Sequence, residues 1–363
     1  MGLPDLARTP DAVTPSWLTA ALRRCGALKT ATITDIAPKR VGNGMLGDSV
    51  QFTLTYDRIE DGAPASVVGK FASADPVSKA TGASVGLYAK EVNFYRTLRR
   101  TVDVRSPVPY VAEIDPETSD FTLILEDLAP ARGGDQLAGC GLEDAERAMD
   151  QASALHGPRW ADPALLTLDW LLPKAGLGAY LVDGFPGFLT AFRERYDDVL
   201  EPDYMAICHQ LGAQIGQFFT PRDVPPTVQH TDFRLDNMLF DAKGGAVPLA
   251  VLDWQSVGAG SGLLDVAYFI GAGLLADLRR THERALVERY LEGLKRYGVS
   301  YGWEAAWRDY RIGVLQGVFT SIFASVGTVR TERGDQMFMA MARRHCQHAL
   351  ELESLKVLAE TVG

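Results

Sequence analysis

Short apolar runs, broken by Gly, Asp and Pro, dominate the chain up to residue 128. Four of these runs are rich in Thr, Val, Ile and Phe, and they predict β-strands at residues 31–38, 49–57, 65–73 and 121–128. A short helix precedes them, with Thr14 as its N-cap, Pro15 at its first position and Gly26 just past its end. A second helix, over residues 84–100, interrupts the strands. The pattern indicates a small β-rich region.

After residue 128 the spacing of apolar positions becomes helical, as in residues 143–157 and 202–219. Only two short strands are predicted there, at residues 237–240 and 249–254. The pattern therefore predicts an α+β chain of two lobes. An antiparallel, β-rich N-lobe comprises residues 1–128, and a larger, mostly helical C-lobe comprises residues 129–363.

The composition is that of an ordinary globular protein, with 47% hydrophobic and 23% charged residues in a chain of 363. The net charge of −10 argues against nucleic acid or an anionic membrane as the main partner, but it does not prevent binding of a nucleotide as its magnesium complex. The N-terminal segment does not resemble a signal peptide, so a cytoplasmic location is expected. The cysteines form no C-x-x-C pair and are expected to be reduced and buried; they are Cys25, Cys140, Cys208 and Cys346.

A glycine-rich segment separates the first two predicted strands, with Gly42, Gly44 and Gly47 in the pattern G-x-G-x-x-G. A dinucleotide-binding fingerprint would open a helix, whereas the residues that follow continue as a strand. A flap between antiparallel strands fits better, because glycines allow backbone N–H groups to approach phosphates. A plain flexible hairpin turn is the alternative.

Lys70 and Glu91 are two charged residues at positions expected to be buried. Lys70 lies inside an apolar strand, and Glu91 falls within the apolar stripe of the helix over residues 84–100. A buried charge is costly unless it is paired. The two residues are therefore predicted to form an ion pair, and the alternative is that each reaches solvent separately.

The loop 230–237 concentrates polar residues immediately before a strand. The two strands that follow form a predicted antiparallel hairpin, which would bring Asp253 beside Asn237. With Asp232 these residues offer a base and two oxygen ligands for a hard cation, a set that suits phosphoryl transfer. The alternative is a solvated loop.

The loop 230–237, the Asp253-Trp254 pair, Lys70, Glu91 and the glycine-rich segment together resemble the protein-kinase-like superfamily of aminoglycoside and choline phosphotransferases. The segments HTDFRLDNMLF, LILEDLAP and LDWQSVGAGSGLLDVAYF are most similar to the ecdysteroid-kinase-like branch. FRLDN is also similar to the phosphotransferase domain fused to some acyl-CoA dehydrogenases. The resemblance implies a bilobal kinase-like fold and an enzyme that uses ATP and Mg²⁺.

The resemblance also implies a role for each candidate residue. Asp232 is implied as the base for the substrate hydroxyl, and Arg234 occupies the place of a phosphate-contacting lysine. Asn237 and Asp253 are implied as magnesium ligands. The implied nucleotide-binding groups are the three glycines of the flap, Lys70 on the α- and β-phosphates, Glu91 holding Lys70, and the hinge backbone from Glu126 to Leu128.

Some positions depart from the family pattern. Thr231 stands where the superfamily usually has Gly and where protein kinases have the Arg that contacts a phosphorylated activation loop. Only eleven residues separate Asp253 from Asp265, too few for a peptide-binding platform, so a small substrate is implied. Asp265 is implied to support the loop 230–237, with a plain helix N-cap as the alternative.

The histidines outside the loop have weaker interpretations. His156 is expected either near that loop or at a helix end favoured by the helix dipole. Three further histidines, His282, His345 and His348, are expected on solvated helix faces.

The leading hypothesis is an ATP- and Mg²⁺-dependent kinase of a small-molecule hydroxyl. Residues 164–192 contain several aromatic residues and only two acids, which favours a hydrophobic acceptor such as a sterol, terpenoid or hydroxyacyl compound. The alternative is that these aromatic side chains pack the core. A nucleotide-binding pseudokinase and an aminoglycoside-type kinase are the other hypotheses, and the short segment after Asp253 disfavours a protein kinase.

Overall fold

The computed structural model describes residues 6–41, 47–173 and 176–362. Contacts within the chain divide it into two units. The first contains the residues up to Arg100, Ser106–Pro130 and Leu252–Ser256. The second contains Thr101–Arg105, Ala131–Val251 and the residues from Val257 onward. The segment that carries Asp253 therefore belongs to the first unit.

The first unit is built on five strands: β1 (Ile33–Arg40), β2 (Gly47–Tyr56), β3 (Ser66–Ala72), β4 (Pro109–Ile114) and β5 (Phe121–Glu126). They form one antiparallel sheet in the order β1-β2-β3-β5-β4. Alternate residues of β2 are buried, whereas β5 is buried along nearly its whole length. The sequence prediction missed β4, whose apolar run is short and begins at a proline.

Three helices accompany this sheet: α1 (Pro15–Arg24), α2 (Pro76–Ser84) and α3 (Leu87–Asn93). The predicted cap of α1 is confirmed, because Thr14 Oγ1 accepts a hydrogen bond of 3.2 Å from the backbone of Trp17. Leu18 and Leu22 of α1 are buried in one core with residues of β1, β2, β3 and β5. A π-helical turn, Phe94–Leu98, continues α3. The single predicted helix over residues 84–100 is therefore shorter and less regular than expected.

The second unit is mostly helical, as predicted. Its helices are α4 (Leu142–His156), α5 (Leu177–Tyr196), α6 (Pro202–Ala213), α7 (Ile215–Phe219), α8 (Gly262–Gly273), α9 (Ala276–Lys295), α10 (Trp303–Gly327), α11 (Glu332–Glu351) and α12 (Ser354–Val362). Every residue of α8 except Leu264 is buried, because α4, α9, α10 and α11 all pack against it. Among the helices of the described residues, none combines the length and apolar character needed to cross a membrane.

Two small sheets position the loop 230–237. β7 (Thr227–Gln229) precedes the loop and pairs with β10 (Gly258–Gly260). β8 (Met238–Ala242) follows the loop and lies between β6 (Arg132–Gly133) and β9 (Val247–Val251). The β8–β9 hairpin was predicted, and its register sets Met238 opposite Val251. The strands on either side fix the ends of the loop.

Candidate active site

Lys70 lies in the middle of β3, between Ser49 of β2 and Leu123 of β5. Its ammonium group donates a hydrogen bond to the buried Glu91 of α3, with 2.6 Å between Nζ and Oε1. Burial by itself lowers the pKa of Lys70, but the charges of Asp253 and Glu91 raise this pKa above its ordinary value. The predicted ion pair is confirmed, and Lys70 is charged.

Asp253 is a second partner of Lys70 within the first unit, with 3.3 Å between its Oδ1 and Nζ. The backbone of Asp253 is left-handed, with a φ of 64°. The next residue, Trp254, is fully buried and stacks on Phe94, with 3.7 Å between the ring centroids. Because Phe94 directly continues α3, this stack holds both Glu91 and Asp253 beside Lys70.

Of the predicted glycine-rich flap, Gly42 and Gly44 lie outside the described residues. Gly47 begins β2. A Cβ at this position would lie 3.0 Å from the backbone oxygen of Phe71 on β3. Close packing of two strands is therefore sufficient to explain the glycine, and a role of Gly47 toward phosphates stays a prediction.

The predicted hinge begins where β5 ends, at Glu126. The backbone N–H of Glu126 donates a hydrogen bond of 2.8 Å to the carbonyl of Val108. The Asp127 carboxylate accepts hydrogen bonds of 2.6 Å from one side chain of β2 and one of β3. Leu128 is buried. The hinge backbone is thus firmly anchored, and its contact with adenine stays a prediction.

Asp265, in the first turn of α8, holds the start of the loop 230–237. Its carboxylate accepts hydrogen bonds from the backbone N–H groups of His230, at 2.7 Å, and Thr231, at 2.9 Å. The N-cap of α8 is Ser261 instead. The prediction that Asp265 supports the loop is confirmed, and the N-cap alternative is wrong.

His156, at the end of α4, belongs to the same buried network. Its Nε2 lies 3.2 Å from the Asp265 carboxylate, and its Nδ1 lies 3.0 Å from the hydroxyl of Tyr290. The side chains of His156 and Asp265 are almost completely buried, at 0% and 1% exposure. The interpretation of His156 as a residue near the loop is confirmed, and His156 is also the last residue of α4, as in the other interpretation.

Thr231 has a left-handed backbone, with a φ of 66°. A residue with a Cβ pays about 1–2 kcal/mol for this conformation, and β-branched residues rarely adopt it. Glycine, the usual residue of the superfamily at this position, adopts such a conformation without this cost. The hydrogen bond from Thr231 to Asp265 helps to hold the strained backbone in place.

Three side chains donate hydrogen bonds to the Asp232 carboxylate. Arg234 Nε lies 2.9 and 3.0 Å from its two oxygens, Asn237 Nδ2 lies 2.8 Å from Oδ2, and the Tyr268 hydroxyl lies 3.1 Å from Oδ1. Burial raises the pKa of Asp232, but the charge of Arg234 and the hydrogen bonds from Arg234 and Asn237 outweigh it and hold this pKa below its ordinary value. The carboxylate is ionised and oriented, and 31% of its side-chain surface remains exposed.

Arg234 is bound to two acids of its own loop. Besides Asp232, its guanidinium donates a hydrogen bond of 2.7 Å to Asp236, and it lies 3.4 Å from the sulfur of Met337 on α11. Burial by itself lowers the pKa of Arg234, but the neighbouring acids raise it above its ordinary value. The predicted contact of Arg234 with phosphate stays a prediction, and such a contact would have to share the guanidinium with these acids.

Gln136 is a buried residue that the sequence analysis did not identify. Its Oε1 accepts a hydrogen bond of 3.0 Å from the backbone of Leu235, and its backbone N–H donates one of 3.0 Å to the Asp236 carboxylate. Gly134 permits this approach, because a Cβ there would lie 2.2 Å from the Leu235 oxygen. In the sequence, Gln136 is a single amide in a glycine-rich stretch without a periodic pattern. This was the only signal that could have identified it.

The interpretation of His345 and His348 as solvated residues is wrong, although His282 is partly exposed. Both side chains are fully buried on α11, because α8 and α10 pack against this helix. His348 Nε2 lies 2.8 Å from Glu283, and His345 stacks on Tyr268 with 5.4 Å between ring centroids. The adjacent arginines made this face look exposed in the sequence.

The expectation that all four cysteines are buried is also wrong. All are free thiols, but only Cys208 and Cys346 are buried. Cys25 is exposed, because it lies just past the end of α1.

Residues 78–307 match the sequence profile of the phosphotransferase enzyme family. This range includes Glu91, the loop 230–237 and Asp253, and it covers more than half of the chain. The chain belongs to the phosphotransferase enzyme family. No protein of curated function matches the sequence. The closer likeness to the ecdysteroid-kinase-like branch and to the acyl-CoA dehydrogenase fusions stays a prediction.

Solved structures with a similar fold have low sequence identity to this phosphotransferase. Choline kinase from Cryptosporidium parvum Iowa II is 9% identical, with coverage of 90% of this chain and 91% of its own and a TM-score of 0.54. An ethanolamine kinase from Plasmodium vivax is 8% identical, with coverage of 93% and 87% and a TM-score of 0.54. A choline/ethanolamine kinase family protein from Mesorhizobium loti is 14% identical, with coverage of 94% and 98% and a TM-score of 0.52. These similarities confirm the predicted bilobal, kinase-like α+β fold.

Proposed function

We propose that this phosphotransferase moves the γ-phosphoryl group of ATP to the hydroxyl of a small molecule. The main support is the Asp232 carboxylate, which three donors orient while part of its surface stays exposed. The substrate oxygen bonds to the γ-phosphorus and loses its proton to Asp232. The bond from that phosphorus to the bridging oxygen breaks, and ADP leaves with the electron pair.

The nucleotide is proposed to bind to the first unit. Lys70 is charged and fixed by two acids, so it suits the α- and β-phosphates. Glu91 acts through Lys70. The remaining proposed contacts are backbone groups of Gly42, Gly44 and Gly47 for phosphates, and of Glu126 and Leu128 for adenine.

Asn237 and Asp253 are each proposed as ligands of Mg²⁺. The Asn237 amide nitrogen is committed to Asp232, which leaves its Oδ1 for a cation. Asp253 offers carboxylate oxygens, and oxygen donors are those that Mg²⁺ prefers. When bound, Mg²⁺ neutralises charge on the β- and γ-phosphates.

We further propose a hydrophobic hydroxylated acceptor, such as a sterol, terpenoid or hydroxyacyl compound. Tyr180 is 60% exposed, and Phe188 and Trp170 are partly exposed. Residues 311–327 of α10 contain no acid. A polycationic aminoglycoside needs several carboxylates around its amines, which this region does not offer.

Two aromatic residues of the segment 164–192 give no support to this acceptor in the structure. Phe185 and Phe192 of α5 are completely buried, so these two side chains pack the core. The proposal therefore depends on the partly exposed aromatic residues and the absence of acids in residues 311–327.

The test is to incubate the protein with Mg-ATP and two panels of acceptors. One contains hydroxysteroids, terpenoid alcohols and hydroxyacyl thioesters, and the other contains kanamycin-type amines, choline and ethanolamine. Mass spectrometry should show one added phosphoryl group on a member of the first panel. Phosphorylation of the second panel alone would overturn the proposed hydrophobic acceptor and leave the proposed kinase activity in place. Nucleotide binding without ADP release from any mixture would identify a pseudokinase.

A further inference from the structure

Tyr268 lies on α8, three residues after Asp265, so both side chains lie on the same face of the helix. Its side chain is almost completely buried, and its hydroxyl lies 3.1 Å from Asp232 Oδ1. The other two donors to Asp232, Arg234 and Asn237, belong to the loop itself. Tyr268 therefore connects the carboxylate to the helical core of the second unit.

The Tyr268 hydroxyl is the donor in its bond to Asp232, because an ionised carboxylate can only accept.

Packing fixes the ring of Tyr268 as well. The His345 ring lies parallel to it, at an interplanar angle of 10°, and Met341 and Ala272 pack beside it. Neither ring nitrogen of His345 has a hydrogen-bond partner among the described residues. His345 therefore holds Tyr268 by packing and not by a hydrogen bond. Gly317 leaves room for the His345 ring, because a Cβ at Gly317 would lie 2.2 Å from it. The phenol has little freedom to move.

We propose that Tyr268 is a positioning residue that orients the Asp232 carboxylate toward the substrate hydroxyl. This inference rests on the proposed function, in which Asp232 accepts the hydroxyl proton. Arg234 and Asn237 belong to the loop, whereas Tyr268 belongs to α8 and is packed against His345 and Met341 of α11. It therefore sets the direction of the carboxylate relative to the core.

The first experiment compares Tyr268→Phe with Tyr310→Phe. Tyr310 is an equally buried phenol of the second unit, and its hydroxyl bonds to Glu283 and His348. ADP release from Mg-ATP is followed with water as acceptor and with any alcohol that the panels identify. Tyr268→Phe should lower kcat about tenfold with little change in the KM for Mg-ATP, because a hydrogen bond to a charged group is lost. Tyr310→Phe should keep the kcat of the wild type.

The second experiment is a double-mutant cycle with Asp232→Asn. If Tyr268 acts through Asp232, adding Tyr268→Phe to Asp232→Asn should change kcat by less than about twofold. If the melting temperature of Tyr268→Phe falls by more than a few degrees, its kcat is compared with that of Tyr310→Phe at a temperature at which both variants are folded.

The outcomes separate this inference from the function it rests on. An unchanged kcat in Tyr268→Phe, or a full tenfold loss on top of Asp232→Asn, would overturn the role of Tyr268 alone. Normal turnover in Asp232→Asn, or no ADP release by the wild type with any acceptor, would overturn the proposed function and the inference with it.

Discussion

Two charged centres, one in each unit, hold their residues by different means. In the first unit, Lys70 lies between Glu91 and Asp253, and attraction between opposite charges keeps the three together. In the second unit, Asp232 lies in a strained loop whose backbone N–H groups bond to the buried Asp265. The first centre is held together by attraction between charged side chains. The second is held by hydrogen bonds from a strained backbone to a buried carboxylate.

The difference predicts different responses to substitution. Burial raises the pKa of Glu91 above its ordinary value despite the opposing charge of Lys70, so Glu91 needs this partner to stay ionised. Asp232 instead has three donors, and the loss of any one leaves two. Substitutions in the first centre should therefore be strongly coupled, whereas those around Asp232 should affect the chemistry more than the fold.

The largest expected effect is that of Asp232→Asn, which keeps the shape of the side chain and removes the base. Turnover should fall at least ~100-fold, while the affinity for Mg-ADP and the melting temperature change little. Asp335→Asn is the matched control, because Asp335 also accepts hydrogen bonds from an arginine and a tyrosine, Arg330 and Tyr196. Steady-state kinetics, calorimetric titration and thermal melting provide the measurements. Near-normal turnover in Asp232→Asn would place the base elsewhere.

The next effect in size concerns the coupling of Lys70 to Glu91. Lys70→Met should weaken Mg-ATP binding about tenfold or more, because a charged hydrogen bond to phosphate is lost. Glu91→Gln should cause a similar but smaller loss, because Glu91 acts through Lys70. Calorimetric titration of the double variant should then show a defect close to that of Lys70→Met.

The control for this cycle is Lys79→Met, which breaks a more exposed ion pair with Asp120 in the same unit. It should leave nucleotide affinity unchanged. Fully multiplicative losses in the Lys70 and Glu91 variants would show that the two residues bind nucleotide independently.

The smallest effect is expected at Thr231, and it tests whether the loop is strained. Thr231→Gly should leave the free energy of unfolding unchanged or raise it by up to about 1 kcal/mol, because relief of the left-handed strain offsets the entropy cost of glycine. The control Thr53→Gly, at an exposed position of β2, should lower it by roughly 0.5–1 kcal/mol. Chemical denaturation measures both. A clear loss of stability in Thr231→Gly would contradict the strain interpretation.

Much of the first centre could be predicted from the sequence, because a lysine in an apolar strand and a glutamate in an apolar stripe both demand a partner. The loop 230–237 was also visible, since its polar residues lie close together in the chain. The role of Trp254 was not visible. Its stack on Phe94 depends on a π-helical turn after α3, which an apolar pattern does not distinguish from a regular helix.

The supports of the loop were the hardest to predict. Gln136 and Leu235 are 99 residues apart, and Asp232 and Tyr268 are 36 apart. Nothing local distinguishes Tyr268 from the apolar residues of α8 around it. For His345 the local sequence pointed the wrong way, because its charged neighbours made its helix face look exposed.

The sequence by itself determined the two-unit α+β architecture, the Lys70–Glu91 pair and the residues of the loop, because apolar periodicity and unpaired buried charge act over short stretches of chain. Only the tertiary structure decided what holds the Asp232 carboxylate in its orientation. That orientation depends on the packing of α8 against α10 and α11, which brings Tyr268 and its stacked His345 to the loop. Packing between distant helices is set by the shapes of whole surfaces, and no short segment of sequence records it.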